Sequence, residues 1–254
     1  MTDPLAAEAL EVALRAADRA RAAIMRRFEG GFKVELKADA SPVTEADREA
    51  EQAIRETILA AYPEHSLTGE ELGSHGQAEL GWLIDPIDGT LSFVHCIPLF
   101  ATLIALCRAG QPILAVVDLP ALGRRFHALA GGGAWEGATR LSVAAAFDPA
   151  ASLVCRGNKL QFEHTGRLEL YARLDRELTL FRSYTDAFGH AMVARGSAAL
   201  MVDPDLRPWD LAAPALLVQE AGGRVLQLPD PNGKTTVISG CPPAVAWLEG
   251  LLAQ

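Results

Sequence analysis

Cysteine is scarce in this 254-residue chain: Cys96, Cys107, Cys155 and Cys241 lie far apart. No CxxC pair and no zinc-ligand spacing occurs, which fits reduced thiols in a cytoplasmic protein. No run of about 18 apolar residues is present, so no membrane span is expected. MTDPLAAEAL, at the start, carries acids early and lacks a basic flank before a long apolar run, so no signal peptide is expected. Internal repeats and low-complexity segments are absent too. Positive charge is short: 23 Lys and Arg against 32 Asp and Glu leave −9. That argues against a nucleic-acid partner, which requires a basic face. The sharpest gap is local. Between residues 64 and 107 there is no Lys or Arg, yet Glu64, Glu70, Glu71, Glu79, Asp85 and Asp88 all lie there.

Half the residues are hydrophobic, enough for a sizeable core in one large domain or two closely packed ones. Residues 4–28 read as an amphipathic helix, with Leu5, Leu10, Leu14, Ala17, Ile24 and Phe28 near helical spacing. FKVELK is a short strand. A second helix follows SPVTEAD, with Thr44 and Asp47 as a capping-box variant and Ile54, Ile58 and Ala61 as its buried face. HSLTGEE and GWLID are strands, and residues 99–137 form a β-meander with turns at Ala109-Gly110 and Gly131–Gly133. From about residue 150 strands and helices alternate: SLVC, a helix over 162–174, ELTLFR, a helix over 186–195, AALMV, a helix over 209–221, RVLQL, TVIS and a helix over 242–252. That alternation predicts a parallel or mixed sheet covered by helices, hence an α/β chain with halves at 1–145 and 146–254.

WLIDPIDGT (82–90) concentrates the chemistry. Asp85 and Asp88 leave an apolar strand with Pro86 between them and Gly89-Thr90 directly after. Ordinary roles exist for the other acids: Asp47 and Asp210 as helix caps, Glu70 and Glu71 as a solvated turn. Asp85 and Asp88 resist such a reading, because buried unpaired carboxylates cost several kcal/mol. With no base interleaved, a hard divalent cation is the economical partner. Mg2+ takes oxygen ligands, and the Ile87 carbonyl can add one. The spacing does not fit an EF-hand loop. Gly89 permits close backbone approach, and the amides opening a helix at Thr90 can hold an anion. Cations beside an anion-binding turn point to phosphoryl chemistry.

WLIDPIDGTLSF, with GEE upstream and PWDLAAPALLVQEAGG downstream, resembles the inositol monophosphatase family of Mg2+-dependent, lithium-sensitive phosphatases. KADASPVTEADREAE (37–51) matches that family's opening segment, and the resemblance covers nearly the whole chain. It implies a layered αβαβα sandwich, its N-terminal sheet mostly antiparallel and its C-terminal sheet mixed, and a homodimer. By position it implies Glu70, Asp85, Ile87, Asp88 and Asp210 as ligands of two or three Mg2+ ions. It implies Glu70 and Thr90, with Asp47 behind Thr90, as the set that positions the attacking water. Gly89 and Thr90 match the phosphate cradle. The implied reaction on a small phosphorylated substrate is in-line attack by a metal-activated water, without a phosphoenzyme.

SYTDAFGHAMVARG (183–196) and the segment 98–126 resemble the histidinol-phosphatase branch. Histidinol phosphate carries an ammonium and an imidazole, and acids outside the metal cluster, Asp186 and Asp203, suit that cation. Their ordinary readings are a helix cap and a loop acid. The alternative is an inositol-1-phosphate or broad sugar-phosphate phosphatase. Leu91, Ser92, Cys96 and Ala199 depart from common family residues at the pocket rim. His95 and His190 are lone histidines, open to substrate, surface or structural roles. A haloacid-dehalogenase motif requires Asp-x-Asp-Gly-Thr, one residue tighter than DPIDGT. A non-enzymatic metal-binding scaffold is disfavoured, because every expected ligand type is present.

Overall fold

The computed structural model describes residues 3–37 and 42–253. Residues 38–41 of the matched opening segment lie outside the described residues. Helix α1 (Pro4–Gly30) starts at Asp3, whose side chain accepts from the Leu5 amide, and stops at Gly31 with φ +93°. Its buried face is Ala6, Ala9, Val12, Ala13, Ala16, Ala17, Ala20, Ala23 and Ile24. Alanine, not leucine, makes the seam; Leu5, Leu10 and Leu14 are only half-buried. Small side chains let α1 lie against α2 (Glu45–Ala61), and Arg26 and Arg27 close the seam on Glu49. Ile54 and Ile58 are buried as expected, but Ala61 is exposed, because the helix ends there as the chain turns away at Tyr62. The Thr44–Asp47 capping box is present.

A small hairpin, β1 (Val34–Leu36) on β2 (Pro42–Thr44), precedes α2. The main sheet follows: β3 (Ser66–Gly69), β4 (Gly73–His75), β5 (Leu80–Asp88), then, after helix α3 (Thr90–Val94), β6 (Ala101–Arg108), β7 (Gln111–Leu119), β8 (Arg124–Leu129), β9 (Gly133–Glu136) and β10 (Thr139–Arg140). Its order is β10-β9-β8-β7-β6-β5-β3-β4, antiparallel except for β3 beside β5. The turn between β6 and β7 puts Ala109 (φ +48°) and Gly110 (φ +80°) both at positive φ, as a two-residue type I′ hairpin demands.

The second sheet takes β11 (Val154–Arg156), β12 (Phe181–Arg182), β13 (Leu200–Leu206), β14 (Arg224–Pro229) and β15 (Thr235–Gly240) in the order β12-β11-β13-β15-β14. It is mixed: β11 runs parallel to β12 and β13, and β15 antiparallel to both its neighbours. The helix expected over 162–174 is two helices, α4 (Lys159–His164) and α5 (Leu168–Glu177). Gly166 at φ +70° breaks it: the Arg167 amide reaches back to the Phe162 carbonyl, a Schellman-type closure. The ELTLFR strand shrinks to Phe181–Arg182 for want of a longer partner. The remaining helices are α6 (Asp186–Ala194), α7 (Pro208–Glu220) and α8 (Pro242–Leu252).

These elements stack in five layers. Helices α1 and α2 cover one face of the main sheet through Ile104, Leu106, Leu114 and Val116. The opposite face, through Leu103, Ala105, Ala115 and Val117, meets α6 and α7. Those two helices are sandwiched against Cys155 and Met201 of the second sheet, which accounts for the all-round burial of Ala212 to Val218. Beyond that sheet lie α5 and α8 with Phe162 of α4. Period-two alternation between two buried faces therefore underlies the continuous apolar runs of β6 and β7. Among the described residues no helix is long and apolar enough to cross a membrane.

If the alanine seam holds α1 in place, adding bulk there should be costly. Ala16→Leu, at a fully buried position, is expected to lower stability by about 1–3 kcal/mol. Urea denaturation checks it, and an unchanged midpoint would show that the seam has slack.

Candidate metal centre

Asp85 and Asp88 are three apart, and on a regular strand they would point to opposite faces. The pairing of β5 with β6 shows why they do not. Asp85 faces Leu103 and Asp88 faces Ala101, so three steps on β5 oppose two on β6. The extra residue is a bulge at Pro86-Ile87, where proline has no amide to give the ladder. Asp85 Oδ1 accepts from the Ile87 amide at 3.0 Å, and Thr102 Oγ1 donates to the Pro86 carbonyl at 2.9 Å. Both carboxylates are thus turned to one side and locked.

The other acids arrive from three elements. Glu70 follows β3, its amide donating to the Ile84 carbonyl of β5. Asp210 sits in the first turn of α7, where Oδ2 accepts from the Arg207 amide at 2.8 Å, favoured by the helix dipole. One oxygen each from Glu70, Asp85 and Asp210 lie within 4.8 Å of one another. Asp88 stands beside them with Oδ2 accepting from the Ala187 amide of α6 at 2.6 Å. Among the described residues no Lys or Arg forms an ion pair with Asp85, Asp88 or Asp210. One cation does come from outside the bare stretch 64–107: Lys37 Nζ lies 2.7 Å from Glu70 and 2.5 Å from Glu71. Burial disfavours its charge, but the two carboxylates outweigh that and raise its pKa.

Electrostatics record the strain of this arrangement. Desolvation, then the neighbouring Glu70, pushes Asp85 well above the usual carboxylate range. Asp88 is raised likewise, by burial and then by Asp186. Asp210 is pushed up to about 7, chiefly by burial. An all-oxygen donor set, largely buried and mutually repelling, with Lys37 on Glu70 as its one basic partner among the described residues, fits a hard divalent cation.

A cleft of about 280 Å3 opens beside these acids. Glu70, Gly89 and Thr90 line one side; Asn158, Gln161 and Asp186 line the other. Gly89 is obligatory on two counts. Its φ is +86°, and an added Cβ would stand 3.1 Å from Asp186 Oδ2 and 3.2 Å from the Leu99 carbonyl. Two larger grooves, of about 570 and 600 Å3, lie between α1 and α2. They are lined by alanines and Arg–Glu pairs, far in character from the acid cluster.

Several expected site residues have more specific surroundings than the sequence suggested. Asp47 is buried, and its Oδ2 accepts from the Thr44 amide and hydroxyl at 2.8 and 2.6 Å. Thr90 Oγ1 donates instead to the Ile87 carbonyl at 3.0 Å, so among the described residues no hydrogen bond joins Asp47 to Thr90. Asp186 does not cap its helix. It is the first residue of α6, at φ +63°, bonded to Thr185 Oγ1 at 2.6 Å and pushed up to about 7 by burial and by Asp203. A non-glycine residue held in that region is uncommon and marks local backbone strain. Asp203 is no loop acid but a fully buried member of β13, and His190 is buried beside it. His95 is exposed. Cys96 adopts φ +58°, a region that glycine occupies without strain.

Glu51 was invisible as a site residue. It is fully buried, accepts from the amides of Glu71 at 2.7 Å and Leu72 at 3.1 Å, and pairs with Arg55. It thereby fixes the turn that carries Glu70. A Cβ on Gly69 would collide with it. The available signal was Arg55 four residues after an acid on the helix face that carries Ala50 and Ile54.

The layered fold, with an acid-only cluster and a glycine turn in one cleft, is that of a phosphoric monoester hydrolase. The chain belongs to the inositol monophosphatase family, whose model matches residues 5–252. A histidinol-phosphatase of Streptomyces coelicolor is 42% identical over 217 residues, 82% of either chain. One from Chlorobaculum parvum is 37% identical over 233 residues, 91% of this chain and 89% of that one. The solved structure of an inositol monophosphatase from Anabaena (Nostoc) sp. aligns with a TM-score of 0.83 and 26% identity, covering 96% of this chain and 95% of that one.

The raised carboxylates set a pH dependence. A folded form that holds Asp210 and Asp186 at about 7, against 3.8 unfolded, binds protons more tightly than the unfolded chain. Protonation therefore stabilises the fold, and that stability is lost as pH rises from about 4 to about 7. In chelator, urea denaturation between pH 5 and 7.5 should show stability falling with pH, less steeply in Asp210→Asn. Excess Mg2+ should flatten the slope. A slope in Asp210→Asn equal to that of the native protein would contradict the shift.

Proposed function

We propose that the chain is a Mg2+-dependent histidinol-phosphate phosphatase. The observation that carries this is a pair of acids, Asp186 and Asp203, set behind the metal-binding carboxylates on α6 and β13. Carboxylates outside the metal cluster suit a substrate with an ammonium and an imidazole. Relatives named histidinol-phosphatase at 42% and 37% identity support the same choice.

Glu70, Asp85, Asp88, Asp210 and the Ile87 carbonyl would hold the cations, two or three in number. Bound there, Mg2+ supplies Lewis-acid neutralisation of phosphate charge and acidifies a water. The chain's own groups do the rest. Gly89 and Thr90 open α3 with amides that have no partner inside the helix, and these hold phosphate oxygens. Thr90 Oγ1, aimed by its bond to the Ile87 carbonyl, orients the attacking water together with Glu70. Asp47 acts one step back, fixing Thr44 and the start of α2 behind Glu70 and Lys37. Glu51 keeps the Glu70 turn from relaxing outward.

One observation favours a second reading. The cleft also presents neutral hydrogen-bonding groups from Ser92, Asn158, Gln161 and Thr185, which suit the hydroxyls of inositol 1-phosphate or a sugar phosphate. Phosphate release separates the two. The proposal expects kcat/KM for histidinol phosphate to exceed that for inositol 1-phosphate by at least about tenfold, roughly 1.4 kcal/mol of discrimination. A tenfold preference for inositol 1-phosphate would overturn it. Independently of substrate, Asp88→Asn is expected to lower kcat by ~10²–10³-fold, the range for loss of one preorganised electrostatic partner. Retention of most activity would remove Asp88 from the metal set.

A further inference from the structure

Behind the cleft, three buried side chains form a line from separate elements of the second half. Ser239 of β15 and Asp203 of β13 are fully buried, and His190 of α6 is 1% exposed between them. His190 Nδ1 lies 2.7 Å from Ser239 Oγ, and its Nε2 lies 3.4 Å from Asp203 Oδ2. The second distance is an ion-pair separation, longer than an ordinary hydrogen bond. Asp203 is otherwise bare: neither Oδ1 nor Oδ2 has a hydrogen-bond partner, and neither does His190 Nε2. An unpaired buried carboxylate is expensive, so this acid is held in place for a reason other than stability.

The surroundings of Asp203 show which way it faces. Oδ2 is turned to His190. Oδ1 is turned to the β11–α4 connection, where a Cβ on Gly157 would stand 3.3 Å from it. Gly157 is immediately followed by Asn158, which lines the cleft. Asn158 is itself fixed by a reciprocal box with Gln161, whose Nε2 donates to the carbonyl of Pro204, the residue after Asp203. One carboxylate oxygen is thus backed by an imidazole, and the other lies buried against Gly157, one residue from the cleft-lining Asn158.

We infer that His190, tethered by Ser239, is a positioning residue that aims Asp203 at the cationic end of the substrate. The Ser239 hydroxyl donates to Nδ1, which leaves the proton on Nε2, facing Asp203 Oδ2. The imidazole then fixes the rotamer of Asp203 and leaves Oδ1 as the acceptor for an ammonium or imidazolium. Removing His190 frees the carboxylate to swing, and the loss falls on recognition of a charged substrate rather than on phosphate chemistry.

This inference rests on the reading of Asp203 as a substrate contact, and the test separates the two. Steady-state kinetics are measured for the native enzyme, His190→Phe, His190→Gln, Ser239→Ala and Asp203→Asn, with histidinol phosphate and with p-nitrophenyl phosphate, which has no cation. His190→Phe is expected to raise KM for histidinol phosphate at least tenfold, with kcat and the p-nitrophenyl phosphate parameters within about twofold. His190→Gln, which keeps an N–H near Asp203, should recover most of that loss, and Ser239→Ala should fall between. In an Asp203→Asn background, His190→Phe should add nothing further. Equal losses on both esters, or an unchanged KM for histidinol phosphate, would overturn the inference. If His190→Phe does not fold, the same criteria apply to Ser239→Ala and His190→Gln. A native enzyme that turns over p-nitrophenyl phosphate but does not prefer histidinol phosphate overturns the substrate reading, and this inference with it.

Discussion

Mutual repulsion among Glu70, Asp85, Asp88 and Asp210 is the force against which the rest of the structure is braced. At 4.8 Å, two like charges in a medium of effective dielectric near 20 repel by on the order of 3 kcal/mol. Relaxation of any one acid toward solvent would relieve that. Each is therefore held by a different rigid device: Asp85 by a bulge bonded to its own strand, Asp88 by the Ala187 amide of α6, Asp210 by the first turn of α7, and Glu70 by a turn clamped on buried Glu51. These devices belong to both sheets and to the helices between them. The five-layer stack keeps them in register, since α6 and α7 are wedged between two sheets and cannot tilt without opening the core.

The same logic extends outward. Asp210 sits in the first turn of α7 and Asp88 accepts from an amide at the start of α6, where partial positive charge offsets some of the repulsion. Lys37 supplies a counter-charge to Glu70 and Glu71 from the β1–β2 hairpin. Burial leaves the remaining charge uncompensated and lifts Asp210 and Asp186 to about 7. A site in this condition is preorganised for cations and, through them, for a phosphate. Asp186, held at positive φ against Gly89, shows local backbone strain maintained at the cleft wall.

Much of this was legible in the sequence because it depends on short-range order. WLIDPIDGT announces a strand, a proline interruption and an anion turn within nine residues, and the absence of Lys and Arg around it points to a cation from outside. PWD places an acid three residues into a helix. Strand and helix periodicity recovered most of the elements, and the family resemblance implied their layering. Long-range facts were not legible. Nothing local says that Lys37 crosses to Glu70 and Glu71, that Glu51 supports the GEE turn, or that His190 lies between Ser239 and Asp203, because those pairings are set by how sheets and helices stack. The split of 162–174 was missed because one glycine at positive φ outweighs a helical pattern, and the alanine seam of α1 because alanine passes for filler until a second helix is seen lying on it.

Everything rests on the claim that the acid cluster is a cation site. Crystals grown with Mn2+ in place of Mg2+ and measured near the manganese absorption edge test it most directly. An anomalous peak bounded by Glu70, Asp85 and Asp210 is the predicted result. Peaks confined to other carboxylates, with none among these three, would contradict it.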